Sequence, residues 1–436
     1  MPSPAPEPLA PRPLTVWLVN PFDDIPGEGL PPLRYWTLAR ILAARGHDVT
    51  WWSSTWSHRR KAGRTPPLGI REDEGFAVRL VATRPYEKNV SLARLRSHAS
   101  FGRTFERLAN ESLASGQLER PDIILASLPP LEGPEAAVRL SRRVDATLIV
   151  DLMDLWPETF ARLLPGPAFI RGPLEKLLLG GMQRRRAAVI AAADAVSAAT
   201  HAYADAALRG AAASLPRHVC YVGAYKEEFP PPPRLIDPVP PGGGVAAAPE
   251  TFAPVRCVYS GSLGTGQDLQ TLVAAARSLS AAGTRAVIHI AGTGPLEAML
   301  RAAAATLRGS CDLQIHGLLS RADYVSLVAG CDIGLVLVKP ESLVAVPYKA
   351  CDYAAAGLAL VNPLPGELQA LIDAHEAGVP YTAGDGQSLA RAITALAADR
   401  RRLLAMRHAA RRLAAAAFDR DRTYPRFADW IETLAG

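Results

Sequence analysis

An α/β chain of two Rossmann-like domains, with parallel sheets facing a central cleft, is what the sequence predicts. Three observations carry that prediction. In both halves short apolar runs alternate with stretches of helical apolar spacing. The runs are apolar almost without a break, as strands covered on both faces must be. A segment dense in proline and glycine nearly bisects the 436 residues, a length that favours two or three domains over one.

The elements follow in chain order. Residues 1–13 read as a flexible proline-rich tail carrying Glu7, without the basic start and apolar run of a signal peptide. The first domain, 14–229, opens on a buried strand at 14–19 (LTVWLV). A polar Gly/Pro loop follows, then a helix over 33–45, with Gly46 where a helix-ending glycine belongs. Strands are expected at 49–53, 123–126, 147–151 and 196–199. Residues 230–254 hold nine prolines and read as a linker or long solvated loop, because each proline removes a donor and restricts its neighbour. The second domain, 255–417, carries strands at 256–260, 287–291, 313–315, 333–338 and 358–361. Residues 418–436 read as a C-terminal helix.

Composition narrows the function classes. Hydrophobic residues make up 49% and charged residues 21%, which supports a large core and excludes general disorder. No uncharged apolar run reaches the roughly 18–20 residues of a membrane span. Cys220, Cys257, Cys311, Cys331 and Cys351 are odd in number and lack a CxxC, which argues against a disulfide scaffold or zinc ribbon and for a cytoplasmic protein. Residues 1–220 hold 28 Lys and Arg against 22 Asp and Glu, whereas 221–436 hold 20 against 20, so the basic excess lies in the first half. Nucleic acid demands a denser basic stripe with stacking aromatics and is not expected as a partner. An anionic membrane surface or a phosphorylated substrate suits one basic half better.

Ligands of such sheets bind beyond the carboxyl ends of the strands, so the loops there hold the candidates. After the first strand Gly27 and Gly29 flank Glu28, and Arg34 stands at the helix start: a close approach for an anion, or a surface turn and a solvated helix residue. His47 reads as structural. After the strand at 147–151 come Asp151, Asp154 and Glu158 around Trp156. Carboxylates there act as general bases or hold sugar hydroxyls, or else cap the next helix. Residues 174–187 set apolar residues beside Arg184, Arg185 and Arg186, as a helix lying on an anionic bilayer does, and as an ordinary amphipathic helix does too; Arg94, Arg96, Arg103 and Arg107 add to the basic face.

In the second half Gly261, Ser262, Gly264 and Gly266 follow the first strand, where backbone amides and a helix dipole can cradle a diphosphate. The stretch is neither a Walker A nor a GxGxxG loop. Gly292 and Gly294 follow the next strand, and His316 with Gly317 a third. On the helix after Pro347, Lys349 and Asp352 lie three apart and share a face, one able to neutralise phosphate and the other to accept ribose hydroxyls. Glu367 follows Gly366, placed for a hydroxyl contact or for the first turn of its helix. Asp23, Asp24 and the scattered histidines lack metal-ligand spacing, and no metal or cofactor is expected.

Together these residues resemble the GT-B nucleotide-sugar glycosyltransferases, most closely the family 4 branch that builds O-antigen and colanic-acid polysaccharides. The first domain shows that family's glycine loop at 27–29, its RGHxV at 45–49, its DxxDLWPE at 151–158 and its aD.v...T strand at 194–200. The second shows GxLG at 261–264, GxGP at 292–295, HG at 316–317, a PSKxxEYxAAG-like stretch at 347–357 and GE at 366–367. The match runs in order across nearly the whole chain.

The resemblance implies a transferase that moves a sugar from a nucleoside diphosphate sugar, with UDP expected. The acceptor would be a saccharide or polyprenyl-diphosphate-linked glycan at the inner face of the plasma membrane, and transfer would retain configuration without metal. It assigns the first domain to the acceptor and the second to the nucleotide sugar, and has the C-terminal helix cross back to the first. Donor contacts would come from Gly261, Ser262, Gly264, Gly292, Gly294, His316, Glu341, Tyr348, Lys349, Asp352 and Glu367. Acceptor contacts would come from Gly27, Glu28, Gly29, Arg34, Asp151 and Glu158, with Asp154 and Lys349 as catalytic residues. Two departures stand out. The family's Glu-x7-Glu pair ends here in Asp352 and begins at Val344, with Glu341 as a substitute; and no basic residue follows the 261–264 loop, which leaves the phosphate charge to Lys349, with Lys339. A GT-B nucleotide-sugar epimerase and a non-catalytic GT-B partner subunit remain as alternatives.

Overall fold

The computed structural model describes residues 12–29, 31–64, 70–71, 74–161, 168–209, 214–232, 253–264 and 266–435, with only the backbone of 70–71 and 168–171. The chain divides into two compact units, Met1–Cys220 with Tyr424–Gly436, and Tyr221–Thr423. The division at Cys220 and Tyr221 precedes the proline-rich segment 230–254, where the sequence alone places it; residues 233–252 of that segment lie outside the described residues, as do 1–11 of the tail.

The first unit contains β1 (Thr15–Val19), α1 (Arg34–Ala44), β2 (Asp48–Ser54), β3 (Trp56–Ser57), β4 (Ala62–Gly63), β5 (Ile70–Arg71), β6 (Phe76–Val81), α2 (Leu92–Ala114), β7 (Ile123–Leu128), α3 (Glu132–Val144), β8 (Thr147–Leu152), α4 (Glu158–Ala161), α5 (Ala168–Ala191), β9 (Ala195–Ala198), α6 (His201–Ala207) and β10 (Arg217–Val219). Its sheet runs β10-β9-β8-β7-β1-β2-β6-β5, parallel throughout except for the antiparallel edge strand β5, while β3 and β4 form a separate small hairpin. All five residues of β1 are buried, as is Trp51 on β2, which packs in one cluster with Leu18, Tyr35 and Leu42. Helix α1 stops because Gly46, at φ 87°, takes a left-handed turn that a side chain would strain. Helix α3 carries Glu132 and Glu135 in its first turn and Arg142 and Arg143 in its last, each matched to the helix dipole.

The second unit contains β11 (Val255–Ser260), α7 (Leu269–Ala281), β12 (Ala286–Ala291), α8 (Glu297–Thr306), β13 (Cys311–Gly317), α9 (Arg321–Ala329), β14 (Ile333–Leu335), α10 (Tyr348–Ala355), β15 (Ala359–Asn362), α11 (Glu367–His375), β16 (Gly378–Pro380), α12 (Gly386–Ala398) and α13 (Arg400–Leu413). Its six strands, β13-β12-β11-β14-β15-β16, are all parallel. Side chains alternate across the sheet into two cores: Cys257 and Tyr259 of β11 face one cluster with Ile288 and Leu335, and Val258 faces the other with Val336 and Tyr353. A π-helical turn, Ala414–Phe418, leads into α14 (Arg420–Thr433), whose residues from Tyr424 onward belong to the first unit. The five cysteines are buried and unbridged. Among the described residues no helix is long and apolar enough to cross a membrane.

Candidate active site

In the first unit four of the sequence's acceptor candidates are paired within the chain. Arg34, the first residue of α1, is 1% exposed. Its Nε and Nη2 donate to the two carboxylate oxygens of Asp151 at 2.9 and 2.8 Å, its Nη1 to the Cys220 carbonyl at 2.5 Å, and its guanidinium covers the Phe427 ring at 4.7 Å. Asp151, fully buried at the end of β8, also accepts from Tyr35 Oη and from Ser197 Oγ at 2.6 Å. This forked, fully enclosed pair ties α1 to two strands and presents no edge to a ligand. Glu28 accepts from the Ile25 amide at 2.9 Å and from Arg64 at 3.1 Å, and pairs with Arg60, so it closes its own loop. Glu158 is gripped by Arg186 at 2.5 and 2.7 Å. Gly27 and Gly29 take φ of 82° and 71°, which the turn requires.

Asp154 stands apart from these. Its Oδ1 accepts from the Leu155 amide at 2.8 Å and from Thr159 Oγ1 at 3.4 Å, in the loop between β8 and α4 and beside the buried Trp156. Of the basic triplet at 184–186, Arg185 pairs with Glu132 and Glu135 of α3 and Arg186 with Glu158, leaving Arg184 exposed near the exposed Leu177 and Leu178.

In the second unit the glycine loops and Lys349 meet. Gly261 donates to the Ala291 carbonyl at 2.9 Å, Leu263 to Thr293 at 2.9 Å, and Gly292 to Gly317 at 2.7 Å, so the loops after β11, β12 and β13 interlock. Only glycine fits at 292: its φ is 142°, and a Cβ there would lie 1.9 Å from the Gly261 carbonyl oxygen. Gly294 is confined too, with a Cβ there 2.7 Å from the Leu263 backbone. The Lys349 ammonium sits at Gly261, 3.2 Å from where a Cβ would stand, and lies 4.3 Å from the Tyr259 ring centre. Among the described residues its one hydrogen bond is to Gln267 Oε1 at 3.4 Å, and it has no carboxylate partner there. Burial lowers its pKa to about 8, because charge there is poorly solvated.

Two helix termini behave differently here. Helix α7 is capped by Asp268, whose carboxylate accepts from the Thr271 amide at 3.3 Å and the Gly384 amide at 3.2 Å, so the dipole expected to serve a diphosphate there is already answered. Helix α10 starts after Pro347 with no side-chain cap and no acidic residue in its first turn, and Lys349 is its second residue. Cation, uncapped amides and exposed glycine loop make an anion cradle.

The remaining donor candidates surround this centre unequally. Lys349 and Asp352 make no pair with each other. Asp352 instead accepts from Arg321 Nη1 at 3.1 Å, and Arg321 also pairs with Glu228. Glu367, first in α11, accepts from Tyr221 Oη at 2.5 Å. His316 lies within β13 rather than after it, hydrogen-bonded to His289 at 3.0 Å; burial holds His289 at a pKa of about 4 and lowers that of His316. Glu341, Val344 and Tyr348 are exposed on the segment entering α10.

Sequence reading missed the supports of the cradle. Tyr353 Oη accepts the Ser260 amide at 2.7 Å and Tyr259 Oη donates to the Ser262 carbonyl at 2.9 Å, pinning the loop from both sides. Arg321 was legible only indirectly: Ser320 caps α9, accepting from the Asp323 amide at 3.1 Å, which makes Arg321 the first helical residue of α9.

Residues 34–223 match the family described as glycosyl transferase 4-like domain, and residues 254–399 match glycosyl transferases group 1. No curated protein sequence matches the chain. Among solved structures it is similar to HepE of Anabaena in complex with UDP and glucose, at 14% identity and a TM-score of 0.63, covering 97% of this chain and 100% of that one. It is similar to sucrose-phosphate synthase of Thermosynechococcus elongatus at 15% identity and a TM-score of 0.67, covering 97% and 99%. WaaG, a glycosyltransferase involved in lipopolysaccharide biosynthesis, matches at 14% identity and a TM-score of 0.60, covering 95% and 98%. The fold is therefore GT-B. With both domain matches, the chain belongs to the GT-B glycosyltransferases of the family 4 type, and it is a glycosyltransferase.

Proposed function

We propose that this glycosyltransferase moves a sugar from UDP-sugar to a saccharide or polyprenyl-diphosphate-linked acceptor in bacterial surface polysaccharide synthesis, with retention and without metal. The observation that carries the donor reading is the Lys349 ammonium, which among the described residues has no carboxylate partner, held against the 261–264 loop and the start of α10, which has no side-chain cap. Breaking the bond at the anomeric carbon leaves negative charge on the diphosphate, and a cation with oriented amides stabilises that charge as it grows. HepE, solved with UDP and glucose, and WaaG, from lipopolysaccharide synthesis, support the nucleotide and the pathway by likeness. On the acceptor side Asp154 orients the incoming hydroxyl or takes its proton. Exposed Leu177 and Leu178 near Arg184 support peripheral contact with the cytoplasmic membrane face.

A non-catalytic partner subunit is the second reading, favoured by exposed Val344 where the resembled family carries its first Glu, and by the Arg321 pair on Asp352. The test is thermal stability against UDP, GDP and TDP, with and without Mg2+, followed by release of UDP from UDP-sugars in the presence of lipid-linked acceptor. A ligand that binds only the folded state raises stability. Stabilisation by UDP without Mg2+ and acceptor-dependent UDP release are expected. Binding without turnover selects the partner subunit, and no stabilisation by any nucleotide overturns the donor site.

A further inference from the structure

The donor cradle and Asp154 leave unused a second group of cations in the first unit. Lys61 and Arg94 lie among aromatic rings beyond the carboxyl ends of β2 and β6. Arg94 covers Trp156 at 4.9 Å, Phe22 at 5.4 Å and Tyr86 at 5.9 Å, and Lys61 covers Tyr86 at 4.8 Å. Among the described residues neither has a carboxylate within ion-pair distance: Lys61 donates to Asn89 Oδ1 at 2.6 Å and Arg94 to the Asn89 carbonyl at 2.7 Å. Asp154 acts on Arg94 through charge alone. Lys61 also holds a left-handed backbone, φ 52°, strained for a side-chain-bearing residue.

Two histidines complete the group, and both are kept neutral. Tyr86 Oη is 2.5 Å and Lys61 Nζ 3.3 Å from His58 Nδ1, which therefore accepts. Arg94 Nε donates to His98 Nε2 at 3.3 Å, so the His98 proton sits on Nδ1, a buried donor with no acceptor. Burial and Arg94 push both imidazoles down to about 3, with Lys61 adding to the effect on His58, and burial with Arg94 lowers Lys61 to about 8. Two like charges and an orphaned donor are thus held together next to a small cleft that Phe22, Tyr86 and His98 help to line. A like-charge pair of this kind is relieved by an anion.

We propose that Lys61, Arg94 and His98 form an anion subsite in the first unit that receives a phosphate or carboxylate group of the acceptor, beside Asp154. This rests on the glycosyltransferase reading of the acceptor domain and adds to it that the acceptor is anionic close to its reacting hydroxyl. The phosphate would come from a lipid-linked carrier and the carboxylate from a uronic acid.

The test uses the full chain with its donor site filled by UDP. Histidine ring NMR signals, assigned with His58→Gln and His98→Gln, are followed during titration with inorganic pyrophosphate, methyl glucuronide and methyl glucoside. One or both anions should move the His58 and His98 signals and the neutral glucoside should not; pyrophosphate alone points to a lipid-linked diphosphate, and glucuronide alone to a uronic acid. Arg94→Gln and Lys61→Met should each weaken that binding about tenfold or more while UDP binding stays unchanged. Movement by the glucoside equal to that by the anions, no movement by any probe, or undiminished binding in both variants overturns the subsite. Failure of UDP itself to bind counts against the donor reading instead, so the two failures are separate.

Discussion

Arg34 in the first unit and Lys349 in the second are both cations shielded from solvent by the fold, and they are treated in opposite ways. Arg34 meets a carboxylate head-on, with a carbonyl and an aromatic ring closing the remaining sides. Lys349 meets a glutamine, a ring face and glycine backbone, and among the described residues no carboxylate compensates its charge. A buried charge answered within the chain holds the fold; one left unanswered at the mouth of interlocked loops is set for a ligand. Sequence motifs proposed both residues for ligand contact, and only the partner each one meets separates them.

The largest effect should come from breaking the closed pair. Asp151→Ala strands a buried guanidinium and is expected to cost about 3–5 kcal/mol in urea denaturation. Replacing both residues, Arg34→Met with Asp151→Leu, should recover most of that loss. A loss under about 1 kcal/mol in the single variant would mean the pair does not hold α1 to the sheet.

Next comes Gly292→Ala. The new Cβ meets the Gly261 carbonyl in a conformation that side chains rarely adopt, so a loss of about 1–3 kcal/mol is expected, with UDP binding falling further than stability. Unchanged UDP binding would place the nucleotide away from these loops.

The pH response sharpens the contrast between the two cations. Lys349 has its folded pKa lowered to about 8 from an ordinary value of 10.5. Between those values the unfolded chain binds the extra proton, so this group's contribution to stability rises with pH across that window. The diphosphate needs the ammonium, so UDP affinity should fall as pH rises through about 8, and Lys349→Met should flatten both trends. Parallel trends in wild type and variant would exclude Lys349 as their source.

The smallest effect should follow Arg321→Gln. Its pairs with Asp352 and Glu228 are partly exposed, and such pairs contribute about 0.2–1 kcal/mol. Stability should barely change. UDP affinity should change by less than about tenfold, in the direction that tells whether Arg321 positions Asp352 or competes with the ribose.

The central strands and the parallel sheets were legible because period and apolar continuity are local; β3 to β6, β10 and β16, short or near the sheet edges, were not. The cradle was legible too, since glycine loops and Lys349 each follow a strand end. The fates of Arg34, Glu28 and Glu158 were not. Arg34 and Asp151 are 117 positions apart and meet only because β1 and β8 flank β7, while Glu28 finds Arg64 36 positions on, across the loop after β2. Residue type and spacing do not report such partners. The same holds for the cations at 61 and 94, brought together by the hairpin of β3 and β4 and the start of α2, and for the Asp268 cap, whose second contact is Gly384 on a distant loop.

The most direct test of the central claim compares UDP with uridine by calorimetry in wild type and Lys349→Met at pH 7. If Lys349 holds the diphosphate, the variant should lose about tenfold or more in UDP affinity and nothing in uridine affinity. Equal loss for both ligands, or none for UDP, would contradict the assignment.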